Sequence, residues 1–222
     1  MKKIILTTIT VLTTTVLFAQ EDNPFGFNTG DFIISGAINF TDSESTSVFI
    51  NSNDQSRSEN IFKSRNLSII PEIGYFLNKS LMIGASYGYL ESVNESVIGG
   101  SRNKGTGYVI GLNLRYYFTP FKRFSFFADL KGSQSKKDGE IRSSNYPSLY
   151  ENKQIGVALS PGINVFITKN LAVMSKIGSI GYFTSESKSY SPLDNQWSQG
   201  EQHEFKASLD SSNLFFGVLY KF

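Results

Sequence analysis

The sequence predicts an all-β fold, an eight-stranded antiparallel up-and-down transmembrane β-barrel. Three observations carry that prediction: eight segments alternate in character with period two, the connections between them alternate short and long, and aromatic residues gather near both ends of the segments. The 222 residues include 19 Phe, 11 Tyr and 1 Trp, with 18% charged residues and no cysteine. That length suits one domain. Without cysteine there is no disulfide scaffold, no thiolate metal cluster and no cysteine nucleophile, and a lone histidine, His203, excludes a multi-histidine site. No metal and no cofactor is expected.

Residues 1–19 combine a basic start (Lys2, Lys3), an apolar, Thr-rich run from Ile4 to Phe18 and a closing Ala19, the pattern of a cleavable secretory signal. Leu17 is bulkier than the small residue usual at its position, and an N-terminal anchor is the alternative. The run of about 15 residues falls short of the ~20 that a spanning helix needs. Loss of the leader removes two lysines and leaves 19 basic and 19 acidic residues, a balance with no electrostatic attraction for nucleic acid. Residues 20–30 are expected to form a short periplasmic segment ahead of the barrel, which occupies 31–222. Beyond residue 19 no apolar stretch approaches helical spanning length, so the mature chain is either exported and soluble or crosses the membrane as strands.

The strands follow in order. Phe32, Ile34, Ile38 and Phe40 share a face in the first. Leu67, Ile69, Ile73 and Tyr75 do so in the second, and Leu81, Ile83, Ala85, Tyr87 and Tyr89 in the third. The fourth is the most regular, setting Tyr108, Ile110, Leu112, Leu114, Tyr116 and Phe118 against Gly107, Val109, Gly111, Asn113, Arg115 and Tyr117. The fifth alternates through Phe124, Phe126, Ala128 and Leu130, and the sixth through Ile155, Val157, Leu159, Ile163, Val165 and Ile167. The seventh, from Leu171 to about Tyr182, is weakest, and the eighth ends on Leu214, Phe216, Val218, Tyr220 and Phe222. Three connections are tight (77–80, 119–123, 168–170) and four are long and polar (about 41–62, 91–106, 133–154 and 184–207), a sorting that insertion from one side of a membrane explains. Pro71-Phe76-Leu81 repeats the spacing of Pro161-Phe166-Leu171. Because proline removes a ladder donor, a bulge or register irregularity is predicted at each.

The faces have a direction. Tyr75, Tyr116, Phe118, Phe124, Tyr220 and Phe222 form a band at the short-turn end, and Phe40, Tyr87, Tyr89 and Tyr108 one toward the long connections, as at two membrane interfaces. The opposite face carries Glu72, Arg115, Asp129, Lys131, Lys176 and Lys221. In lipid, Arg or Lys at midplane costs ~2–4 kcal/mol, so this face points inward, where both signs can form an ion-pair network. Those near strand ends can instead be solvated. Eight strands enclose a bore that side chains about fill, so the barrel is expected to be plugged.

The signal peptide, the run Pro71-Glu72-Ile73-Gly74-Tyr75-Phe76-Leu77 before Leu81-Met82-Ile83-Gly84, and the C-terminal run Leu214 to Phe222 resemble the small eight-stranded outer-membrane β-barrel family of Gram-negative bacteria, similar to the OmpX and OmpA transmembrane barrels and to the broad outer membrane protein β-barrel domain group. The resemblance implies an outer-membrane location, contact with outer-membrane lipids, a monomer, and a sorting signal at Tyr220 and Phe222 for the barrel-assembly machinery. It leaves activity open, because this fold hosts several functions.

The leading reading is non-enzymatic, with a structural, adhesion or surface-interaction role carried by the long loops, whose Tyr146, Tyr150, Tyr190 and Trp197 are candidate contacts for an extracellular partner or packing residues of the loops themselves. A narrow small-solute channel is the alternative, set against the filled bore. A lipid-modifying enzyme needs a base beside a nucleophile, and only His203, in Glu201-Gln202-His203-Glu204, could supply it. No catalytic residue is assigned.

Overall fold

The computed structural model describes residues 25–50, 57–97, 100–120, 122–142, 147–192, 195–208 and 214–222. The leader at 1–19 and Tyr146 lie outside them. The strands are β1 (Phe32–Ile50), β2 (Arg57–Phe76), β3 (Leu81–Ser96), β4 (Ser101–Tyr117), β5 (Phe124–Arg142), β6 (Pro147–Phe166), β7 (Leu171–Ile177), β8 (Ser179–Ser191), β9 (Gln196–Ser208) and β10 (Leu214–Lys221). From β1 to β6 each strand pairs with the next, β6 pairs with β7, β7 with β10 and β10 with β1, all antiparallel, which closes an eight-stranded ring at the short-turn end. Farther up, β8 takes the place of β7 beside β6, and β9 pairs with β8.

The period of two turns this ring inside out relative to a soluble protein. On β4, Gly111, Asn113, Arg115 and Tyr117 are buried, while Ile110, Leu112, Leu114 and Tyr116 are exposed, Leu112 to 71%. Ile38, Phe126, Ile155 and Phe216 are likewise exposed on their strands. A continuous outward belt of Ile, Leu, Val and Phe is stable only against hydrocarbon, and closure of the ring satisfies the backbone within it. Tyr87 and Tyr108 stack at 6.4 Å in the upper aromatic band, and Tyr116 with Phe118 and Tyr220 with Phe222 make edge-to-face pairs in the lower one.

The four stretches expected as long loops are corrected by the structure. They are strand for most of their length. The β1–β2 ladder runs unbroken from Phe32↔Tyr75 to Ile50↔Arg57, and the β5–β6 ladder from Phe124↔Val165 to Arg142↔Pro147. Above the lipid both faces of a strand are wet, so the apolar alternation disappears although the backbone ladder continues. Ion pairs between directly opposed residues replace it: Asp42 with Arg65 at 3.3 Å, Glu44 with Lys63 at 3.3 Å and Glu95 with Arg102 at 3.1 Å.

The two prolines behave differently. At Pro161 a bulge is present, carried by the neighbouring strand: the register of β6 shifts by one residue between Gly162↔Lys176 and Leu159↔Ile180. The extra residue is Gly178, at φ 67°, which splits β7 from β8. At Pro71 there is no bulge. Pairing with β3 lapses between Ile69↔Tyr89 and Glu72↔Ser86, yet the register on both sides is the same. The missing donor is absorbed by a local gap, because the opposite side of Pro71 stays paired with Gly36. Gly178→Ala is expected to lower the unfolding free energy by about 1–2 kcal/mol, the cost of a left-handed L-residue. In the same urea titration Gly132→Ala, whose new methyl would meet nothing closer than Val157 at 3.7 Å, should stay within about 0.5 kcal/mol.

Candidate functional site

The inner face of the lower half builds two stacked layers. The upper one is ionic. Arg115, on β4, is fully buried and reaches across the bore. Its Nη2 donates to Glu72 Oε1 at 2.7 Å and its Nε to Asp129 Oδ1 at 3.2 Å. Nη1 lies 3.5 Å from the Tyr117 hydroxyl and 3.4 Å from Met174 Sδ, and the guanidinium sits 4.8 Å from the centre of the Phe127 ring. The carboxylates are held from other strands as well. Ser35 Oγ donates to Glu72 at 3.4 Å, Asn113 Nδ2 to Asp129 Oδ1 at 2.9 Å, and Lys176 Nζ bonds Asp129 Oδ2. Glu72 comes from β2, Arg115 from β4, Asp129 from β5 and Lys176 from β7, so the network ties together strands on several sides of the ring. A planar guanidinium with five donors suits this bridging role better than an ammonium would.

Beneath it lies an apolar layer that the sequence reading did not anticipate. The expected short periplasmic segment at 20–30 is, over the described residues 25–30, a plug folded into the barrel mouth. Phe27 is 1% exposed. Its ring stacks on Phe76 at 4.2 Å and meets Tyr117 at 4.6 Å and Phe166 at 5.2 Å. The backbone is pinned too: Phe27 N–H donates to the Pro120 carbonyl at 3.1 Å and Lys221 Nζ donates to the Gly26 carbonyl at 2.7 Å. Phe76 and Phe166, the matching members of the proline repeat, therefore both receive the same inserted ring. Gly162 belongs to this layer because a Cβ there would collide with the Phe127 ring. Asn164 donates to the Tyr117 hydroxyl at 3.1 Å and connects the two layers. The signal for the plug was present in Phe25-Gly26-Phe27, two rings on a flexible spacer in an otherwise polar segment, and the inward phase of β4 marked Asn113 and Tyr117.

The remaining predicted residues are dispersed. Lys131 lies above the ionic layer and lines a cavity there. Lys221 is apart from the network, at the mouth, with Asp31 at 3.6 Å in addition to Gly26. Tyr150 is a strand residue of β6 and a correction to its assignment as a loop contact: it is half-buried, and its ring fills the space left by Gly105 and Gly139. Burial pushes its phenol up from the ordinary value, opposed by a hydrogen bond with Ser92. Tyr190 and Trp197 do sit at the far end of the β8–β9 hairpin, with ring centres 5.3 Å apart and the Tyr190 hydroxyl donating to Asn195 at 2.7 Å. Tyr220 and Phe222 face outward, and Phe222 also meets Phe32 at 6.2 Å. His203 is exposed on β9, with Nδ1 3.1 Å from Thr184 Oγ1 and Nε2 3.7 Å from Glu201 Oε1. In the upper hairpins Lys136 Nζ lies 2.9 Å from Glu151, and that hydrogen bond raises the lysine and lowers the carboxyl from their ordinary values.

An inside-out eight-stranded ring with a filled bore defines an integral membrane β-barrel. The chain belongs to the outer membrane protein beta-barrel domain family, whose model matches residues 6–222, and this membership places it in the outer membrane. Among solved structures it is similar to the outer membrane protein OprG from Pseudomonas aeruginosa, with a TM-score of 0.57 and 14% identity over 90% of this chain and 99% of that one. It is also similar to the outer membrane protein AlkL (TM-score 0.49, 12% identity, 91% and 94% covered) and to Neisserial surface protein A (TM-score 0.43, 16% identity, 87% and 98% covered). At 14% identity the likeness to OprG is one of fold. No curated protein matches the sequence.

Proposed function

We propose that this protein is a non-enzymatic outer-membrane barrel, exported by a cleaved signal peptide, whose bore is shut and whose function is carried on the cell surface by the polar ends of its hairpins. The observation that supports it most is the double closure of the lower bore: a fully buried guanidinium bridging two carboxylates, and directly beneath it a ring of Phe27, Phe76, Tyr117, Phe127 and Phe166 with almost no exposed surface. Neither layer leaves room for a hydrated solute. The ribbons above present Tyr190 and Trp197, rings able to supply contact area to an extracellular partner at low entropic cost. His203 argues against enzymatic chemistry, because it stands in solvent beside a threonine hydroxyl, without the water-excluded surroundings that make oxyanion stabilisation effective.

A narrow channel is the second reading, favoured by the cavity above the ionic layer, which would give a solute entry to half the bore. It requires Arg115 and Phe27 to move. Refolded mature protein in a planar bilayer is expected to insert without discrete conductance steps, while the double variant Phe27→Ala with Arg115→Ala should show them. Reproducible steps from the unaltered protein would replace the closed-barrel reading with the channel.

A further inference from the structure

Above the ionic layer the bore opens into a cavity of about 360 Å³, lined by Ser35, Glu72, Lys131, Lys176, Ser179 and Lys206 among other residues. Charge there is already matched, with one exception. Arg115 bridges Glu72 and Asp129, Lys176 takes the second Asp129 oxygen, and Lys206 reaches Glu204 at 2.9 Å. Each of these carboxylates therefore has its cation in direct contact, while Lys131 faces Glu72 and Asp129 without a direct bond to either, so that three cations (Arg115, Lys131 and Lys176) share two negative charges there. The Lys131 stem lies over Gly111 beside Ser86 Oγ, a buried hydroxyl that also lacks a hydrogen-bond partner among the described residues. A third cation beside two carboxylates that are already bridged is costly to hold in the bore, and the cavity offers the hydroxyls of Ser160 and Ser179 as further donors.

We infer that this cavity is a binding site for an oxyanion, the phosphate or carboxylate group of a small molecule or of an amphiphile, with Lys131 as its principal counter-charge and Lys176 and Lys206 completing the positive wall. The anion balances the surplus positive charge at Lys131, and charge-assisted bonds from several donors make a phosphate or carboxylate the fitting chemistry. The site stands where the barrel wall changes. Pairing of β1 with β10 ends at Gly36↔Val218, and among the described residues β1 above that point pairs only with β2, while β9 pairs only with β8. Ser35 and Gly36 line both this cavity and an apolar groove of about 650 Å³ on the lipid-facing side, formed with Ile38, Pro71 and Phe216. A free anion would occupy the cavity alone, whereas an amphiphile would place its head there and its chain in the groove.

The test is calorimetric titration of the refolded mature protein in phosphatidylcholine nanodiscs with inorganic phosphate and, separately, with decyl phosphate. Saturable binding of one equivalent is expected, weakened at least tenfold by Lys131→Gln, several-fold by Lys206→Gln at the exposed rim, and unchanged by Lys169→Gln in a short turn. The Lys206 variant keeps the test decisive if the Lys131 variant fails to refold. Equal affinity for the two probes identifies a free oxyanion as the ligand, and a clear preference for decyl phosphate identifies an amphiphile; both support the site. Absence of saturable binding for either probe, or binding indifferent to the Lys131 and Lys206 substitutions, overturns it.

Discussion

Replacing Arg115 with alanine is expected to lower the unfolding free energy of the barrel by about 3–5 kcal/mol, because it strands a buried carboxylate without its cation. The two acids suffer unequally. Asp129 keeps Lys176 and the Asn113 amide in direct contact, whereas Glu72 keeps only the longer contact from Ser35 at 3.4 Å and the charge of Lys131, which does not bond it directly. Most of the loss therefore sits on Glu72. Adding Glu72→Gln should recover about 1–3 kcal/mol, a non-additivity within the range of coupled neighbours. Urea titrations followed by far-ultraviolet circular dichroism in lipid vesicles measure all three species. A double variant no more stable than Arg115→Ala alone would show that the penalty lies elsewhere in the bore.

Phe27→Ala should cost about 3 kcal/mol in the same assay, the usual scale for truncating a buried phenylalanine whose surroundings cannot collapse. Here collapse is prevented by the wall itself: Phe76, Tyr117 and Phe166 project from strands held in register by the closed ring, so the vacated space stays. Phe27 belongs to no strand. Its loss undocks the segment at 25–31, and limited proteolysis should cut there first while the barrel remains folded. Phe25→Ala is the control, since Phe25 is only partly buried and lies 6.3 Å from Phe166, and it should lose less than half as much. Equal effects from the two would argue that the segment adheres without a specific plug.

What could be read in advance follows from where the environment imposes a pattern. Inside the lipid belt each strand separates hydrocarbon from bore, so β4 announces its faces in every pair of residues from Tyr108 to Tyr117. Above the belt the same strand runs on through Lys104 and Thr106, both faces meet water, and nothing in Ser, Asn, Lys and Glu distinguishes a ladder from a loop. Residues 91–96 and 101–106 thus looked like connection and are paired strand. The prolines show a second limit. Pro71 and Pro161 have the same local sequence consequence, a missing donor, but Gly178 beside Pro161 adopts a left-handed turn and takes up a residue, whereas the glycines near Pro71, Gly36 on β1 and Gly88 on β3, do not, and the register there is kept.

By itself the sequence determined the number of spanning strands, their inward and outward faces, the two aromatic bands and the presence of charges that lipid could not tolerate, because each of these is a local response to a one-dimensional gradient from water to hydrocarbon. Only the tertiary structure decided that Arg115 would gather Glu72 and Asp129 while Lys131 was left outside their direct contacts and Lys221 went to the mouth. Only the tertiary structure, too, brought Phe27 under the rings of Phe76 and Phe166. These depend on stagger and closure: which residues share a level of the bore is set by the register of all eight strands around the ring, a quantity that no single strand encodes.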